Sequence, residues 1–182
     1  MTAIIQAAIA TIAVGRVQWC IMRQKPKAYL ETSVISYATG RLSGQLMVAA
    51  QQQYTMEWLS VAADCFDLYV SDVVAVEATQ GDSEAVTRRL ALLRQYAAIG
   101  MSDDAEALAA ELVRRHSMPA RARTDALHVA ISAVNAMDYL VTWNCTHINN
   151  AAMKPRIERC CAELGYHCPV ICTPLELQVN ND

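Results

Sequence analysis

Glycine and proline are scarce and never clustered: six of one and five of the other lie scattered along 182 residues. That spacing leaves no linker, low-complexity tract or fixed-period repeat, so one domain with a real core is expected. Aromatic residues make up 6% of the chain against 54% for all hydrophobic types. The dominance of Ala and Leu argues for many small helices rather than a sandwich of strands. An excess of positive charge is also missing. A net charge of −3 gives no global pull towards a polyanion. Two local arginine groups stand out: Arg88, Arg89 and Arg94 on one predicted helix, and Arg114, Arg115, Arg121 and Arg123 on either side of Pro119. A solvated helix face is the simpler account of each.

Paired cysteine motifs are absent too. The seven cysteines are odd in number and include no Cys-x-x-Cys, so neither a disulfide framework nor a zinc knuckle is expected. Cys145, His147, Cys160, Cys161, His167, Cys168 and Cys172 gather late in the chain, but their spacing matches no zinc pattern. Free thiols in a reducing cytoplasm are the simpler reading. The opening MTAIIQAAIATIAVGRVQWCI is apolar, yet no cationic region precedes it and Arg16 cuts it short of a membrane span. Met22 then opens a stretch that itself reads as a protein start. The expectation is an extra N-terminal segment over residues 1–24, a functional domain over 25–182 and no membrane association.

What the chain does contain is an alternation of strands and helices. A short buried strand is predicted over 27–32, KAYLET, followed by a helix over 33–41. A long helix over 45–66 is predicted to carry Leu46, Val48, Ala49, Met56, Leu59 and Ala63 on one apolar face, with Gln51–Gln53 on a polar side. A strand over 68–70 leads to Ser71, a good N-cap for the helix holding Glu77. A helix over 83–98, a very short strand over 99–101, and a helix capped by Ser102 with Asp103 and Asp104 in its first turn come next. After Pro119, the nearly all-apolar stretch from Thr124 or Asp125 predicts a buried helix. A strand over 139–142, a helix over 149–164 closed by Gly165, and a last strand over 169–172 complete the reading. Such alternation implies a parallel sheet covered on both faces.

Ligands of such sheets bind beyond the carboxyl ends of the strands. Glu31, Glu77, Asp125 and Asn144, from four separated segments, all fall there. Taken singly, each has an ordinary explanation: a helix cap, a surface acid, a dipole partner and a turn former. Acids set among apolar residues are costly to bury unpaired, and two or three converging would repel each other unless a cation sat between them. Hard divalent ions suit such oxygen ligands and suit phosphodiester cleavage.

The stretches YLETSVISY, VSDVVAVEA, RTDALHVAISA and YLVTWNCTHINNA, in this order, resemble the PIN-domain ribonucleases, particularly a branch related to VapC-type toxins of toxin and antitoxin pairs. The resemblance spans Lys25 to about Leu177. It implies a three-layer α/β/α fold around a short parallel sheet and an endoribonuclease dependent on Mg²⁺ or Mn²⁺. It places Glu31, Glu77 and Asp125 as metal ligands and Asn144 at the fourth acidic position, with Thr142 as the hydroxyl residue two places before it. Glu31 stands where Asp is commoner, and Asn144 keeps an oxygen while losing a charge. An RNA substrate follows from the resemblance, as do a cognate antitoxin protein and a homodimer, which rest on it alone; a cytoplasmic location agrees with the free thiols. A binding module with weak or no nuclease activity is the rival reading, supported by the amide at position 144. Arg121 and Arg123 would hold substrate phosphate or face an acidic partner or solvent. His128, one turn after Asp125, faces the site or sits hydrogen-bonded in the core, and His147 would contact phosphate or water.

Overall fold

The computed structural model describes residues 24–179. The Met22 start and all but the last residue of the expected N-terminal segment lie outside that range. The strands are β1 (Lys27–Leu30), β2 (Asp67–Ser71), β3 (Ala97–Ile99), β4 (Tyr139–Val141) and β5 (Val170–Cys172). The helices are α1 (Thr32–Thr39), α2 (Leu46–Cys65), α3 (Asp72–Ala78), α4 (Ser83–Leu93), α5 (Asp103–Arg114), α6 (Arg123–Val134) and α7 (Lys154–Glu163). A 3₁₀ turn at Ala120–Ala122 leads into α6.

All strand pairings are parallel and the order across the sheet is β3-β2-β1-β4-β5. This is the expected α/β architecture. Right-handed crossovers put α1–α4, which serve the steps from β1 to β3, on one face. The return to β4 and β5 puts α5–α7 on the other. Packing follows this division, with α1 against α2 and α4, and α5 against α6 and α7. Between β1 and β4 the chain leaves the sheet in opposite directions, which opens a crevice beyond their carboxyl ends.

Side-chain caps explain three of the helix starts, with Asp82 capping α4 by accepting the Ala85 N–H. Ser71 caps α3 by accepting the Val74 N–H, and Ser102 caps α5 by accepting the Ala105 N–H. The core centres on Tyr29, Leu30, Ile35, Ile131, Leu140 and Ile148, all fully buried. α6 is buried along most of its length, including Ala126, Val129, Ala130 and Ile131.

Several expectations need correction. α4 ends at Leu93, and β3 lies two residues earlier than predicted, at Ala97–Ile99. Residues 149–153 form turns, and α7 starts at Lys154 with Pro at its first turn. The buried side of α2 is Gln52, Thr55, Trp58 and Ala62, while Leu46 and Met47 are exposed. Polar pairing decides that rotation. Gln52 donates to Arg41 O at 3.0 Å and accepts the Ser43 N–H at 2.8 Å. Trp58 donates its indole N–H to Leu177 O at 2.6 Å, and Thr55 accepts the Trp143 indole N–H at 2.8 Å.

Candidate metal centre

Glu31 follows directly on β1, where its own N–H still pairs with Val141 O at 3.0 Å. It is the N-cap of α1 but makes no side-chain capping bond. Its carboxylate turns inward instead and is only 5% exposed. Oε2 accepts the Thr142 hydroxyl at 2.7 Å and also the Ser33 hydroxyl. Ser33 Oγ in turn accepts the Trp143 N–H at 2.8 Å, which fastens the start of α1 to the end of β4.

Glu77 reaches the same place from α3. Its Oε2 accepts the Thr32 hydroxyl and lies 3.0 Å from His128 Nε2. Burial pushes the Glu77 carboxyl up, but hydrogen bonds from His128 and Thr32 and the charge of His128 leave it below the ordinary carboxylate range. His128, on α6, is 1% exposed. Its other nitrogen, Nδ1, lies 2.8 Å from the Tyr29 hydroxyl, which lies 2.6 Å from Ser71 Oγ. Burial, with the charges of Glu31 and Glu77 acting in the same direction, raises the Tyr29 phenol far above its usual value against the Ser71 hydrogen bond. Tyr29 is therefore a neutral hydrogen-bonding link.

One ligand atom each from Glu31, Glu77 and His128 lie within 4.8 Å of one another. Asp125 and Asn144 form a neighbouring group rather than part of this one. Asp125 Oδ2 lies 2.8 Å from His147 Nδ1, and Asn144 Oδ1 accepts the His147 N–H at 3.1 Å. Thr142 joins the two groups, because its hydroxyl oxygen accepts the Asn144 N–H at 2.9 Å while donating to Glu31. His147 Nε2 is buried with no protein partner among the described residues. Arg121 and Arg123 are exposed beside the start of α6.

The donor set fits a divalent cation. Among the described residues, no Lys or Arg forms an ion pair with Glu31, Glu77 or Asp125. Two like charges this close repel by roughly 3 kcal/mol at an effective dielectric constant of about 20, which the hydroxyl donors and, at Glu77, the His128 imidazole offset in part. A metal ion bound by both would remove that repulsion. Beside Glu77 a cavity of about 370 Å³ opens, with Val73, Val76, Met101 and Leu127 on its walls.

Sequence reasoning missed how Thr32, Ser33 and Tyr29 serve this site, and it left His128 open between the site and the core. His128 is both a core residue and a member of the cluster. Its spacing of three from Asp125 was the available signal, since residues so spaced share a helix face.

No protein-family model and no curated protein matches the sequence. Solved structures do match. VapBC2 from Rickettsia felis, bound to a DNA fragment from its promoter, aligns with a TM-score of 0.55 and 14% identity over 80% of this chain and 97% of that one. VapC20 from Mycobacterium tuberculosis, a Sarcin-Ricin loop cleaving toxin, aligns with a TM-score of 0.51 and 15% identity over 66% of this chain and 92% of that one. The fold is PIN-like. Within this PIN-like fold, the cluster of Glu31, Glu77 and His128 stands at the crevice between β1 and β4, where a parallel sheet of this order binds ligands. No helix among the described residues is long and apolar enough to cross a membrane.

Proposed function

We propose that this chain is a divalent-metal-dependent endoribonuclease that hydrolyses RNA phosphodiesters, and that it is the toxin of a type II toxin-antitoxin pair in the cytoplasm. The observation that carries the reading is the convergence of Glu31 and Glu77 at the carboxyl ends of the central strands of a PIN-like sheet. Glu31 and Glu77 would hold Mg²⁺ or Mn²⁺, with Asp125 contributing through a water. Such an ion acidifies a bound water and neutralises charge on the scissile phosphate.

The chain's own groups then orient and bind. The Thr142 and Ser33 hydroxyls fix the Glu31 carboxylate, and the Thr32 hydroxyl fixes Glu77. Asn144 accepts the His147 N–H through its Oδ1, leaving its amide N–H₂ to position water or phosphate at the rim. Arg121 and Arg123, exposed next to Asp125, would hold the RNA backbone. The likeness to VapBC2 from Rickettsia felis supports an antitoxin partner. Leu42, Leu46 and Met47, all more than two-thirds exposed, supply an apolar surface suited to a protein partner, be it antitoxin or a second copy of this chain.

The alternative, an RNA- or protein-binding module with weak or no activity, draws on Asn144 in place of an acid. A single comparison separates the readings. Purified protein with Mn²⁺ should cut a mixed RNA pool, and Asp125→Asn should abolish the cutting. Equal background from both proteins would refute the nuclease reading.

A further inference from the structure

We propose that His128 is a direct ligand of the divalent ion, beside Glu31 and Glu77, and that its imidazole makes the site prefer Mn²⁺, Co²⁺ or Zn²⁺ over Mg²⁺. The inference rests on the metal-dependent reading above, but it concerns which atoms hold the ion and which ions they select. Asp125 is the residue expected from the resemblance to complete the set. In the structure its carboxylate is 2.8 Å from His147 Nδ1, and the atoms that converge within 4.8 Å are those of Glu31, Glu77 and His128.

The surroundings of His128 suit a ligand. A ligating imidazole offers a bare nitrogen to the metal and donates its other N–H to a partner that fixes the ring. Here Nε2 faces Glu77 Oε2 at 3.0 Å, while Nδ1 lies 2.8 Å from Tyr29 OH and that oxygen 2.6 Å from Ser71 Oγ. With a proton on Nδ1, the chain runs from His128 to Tyr29 to Ser71, and Nε2 is left with a bare lone pair beside Glu77 Oε2, which a bound cation would relieve. With the proton on Nε2, the ring donates to Glu77 and both hydroxyls turn, so that Ser71 donates to Tyr29 and Tyr29 to Nδ1. The two hydroxyls therefore serve either tautomer without movement of a heavy atom, but only the Nε2–H form gives Glu77 Oε2 a proton at 3.0 Å. When no ion is bound, Nε2–H donates to Glu77; for His128 to ligate, the ring proton would sit on Nδ1, donated to Tyr29, which leaves the Nε2 lone pair free for the ion.

The donor chemistry sets the preference. Mg²⁺ favours oxygen ligands and retains its waters. Imidazole nitrogen suits the later first-row ions, whose affinities for a given nitrogen and oxygen site rise from Mn²⁺ to Co²⁺ and beyond. One nitrogen added to two carboxylates moves the site in that direction.

The test is ion binding by the chelator-stripped full chain, measured without RNA. Free Mn²⁺ is followed by electron paramagnetic resonance, and Mg²⁺, Co²⁺ and Zn²⁺ by competition. Wild type should bind Mn²⁺ more tightly than Mg²⁺. His128→Gln should lose about tenfold or more in Mn²⁺ affinity with a smaller loss for Mg²⁺, and Asp125→Asn should change Mn²⁺ affinity less than His128→Gln does. In ¹⁵N-labelled wild type, Zn²⁺ should shift Nε2 of His128 and fix the proton on Nδ1, a readout independent of whether the variant folds. An unchanged His128 signal in Zn²⁺-loaded protein would overturn the proposal, as would Asp125→Asn losing Mn²⁺ while His128→Gln keeps it, or wild type binding none of the ions. Binding through His128 without RNA cleavage would support this assignment and sink the nuclease reading instead.

Discussion

The hydroxyl of Thr142 donates to Glu31 at 2.7 Å and accepts the Asn144 N–H at 2.9 Å, in a position with no solvent exposure. Replacing it with Val keeps the shape but leaves a buried carboxylate and a backbone N–H each short of a partner. Thr142→Val should therefore cost about 1–3 kcal/mol in urea unfolding and reduce RNA cleavage more than a surface substitution does. Asn144 tests the other side of this link. If its missing charge limits the site, Asn144→Asp raises Mn²⁺-dependent cleavage, whereas unchanged cleavage makes Asn144 a bystander. At this scale the sequence was partly legible. Glu31 and Glu77 stood out because each is an acid beside apolar residues bound for a sheet edge. His128 did not, because a core histidine and a buried ligand have the same apolar neighbours and differ only in what their two nitrogens meet.

Element by element, the alternation of apolar runs and turn signals foretells the order of the strands and α-helices among the described residues, but it misplaces β3 and the start of α7 and gives α2 the wrong rotation. The apolar count favoured the side bearing Leu46 and Met56, both exposed, whereas Gln52 and Thr55 face inward. Pairings with distant backbone and side-chain groups, at Arg41, Ser43 and Trp143, outweigh that pattern, and none of those partners is visible from periodicity. Gln52 ties the segment after α1 to α2. Gln52→Leu should accordingly destabilise the fold by about 1–3 kcal/mol, measured by urea unfolding, despite adding an apolar side chain to a buried site. The three-residue strands β3, β4 and β5 were the hardest to bound, since so short a run carries little period-two signal.

For the whole molecule, helix-strand alternation announced a parallel sheet, but the strand order that brings β1 beside β4 depends on contacts over a hundred residues apart. That order is what gathers Glu31 and Glu77, so their convergence, expected from the parallel-sheet reading and from the resemblance, became geometry only in the fold. The C-terminal stretch adds a pH-dependent lock. Glu176 accepts the Thr173 N–H at 2.8 Å, the Thr173 hydroxyl at 2.9 Å and the Asn149 amide at 3.1 Å. These contacts, the Thr173 N–H foremost, hold its carboxyl below the ordinary range. A depressed folded pKa means that this stabilisation is present above the unfolded value of about 4.3 and is lost as pH falls through the folded value. Thermal melts should thus show wild type above Glu176→Gln near neutrality, with the two curves converging in acid.

In the proposed function, paired carboxylates at the crevice between β1 and β4 hold the metal needed to cleave RNA. This role is tested most directly by RNA cleavage with Mn²⁺, with the ion chelated, and with Glu31→Gln in Mn²⁺. The prediction is cleavage by wild type with Mn²⁺ alone, lost on chelation and in the variant. Undiminished cleavage by Glu31→Gln, or none by wild type with Mn²⁺ bound, would contradict it.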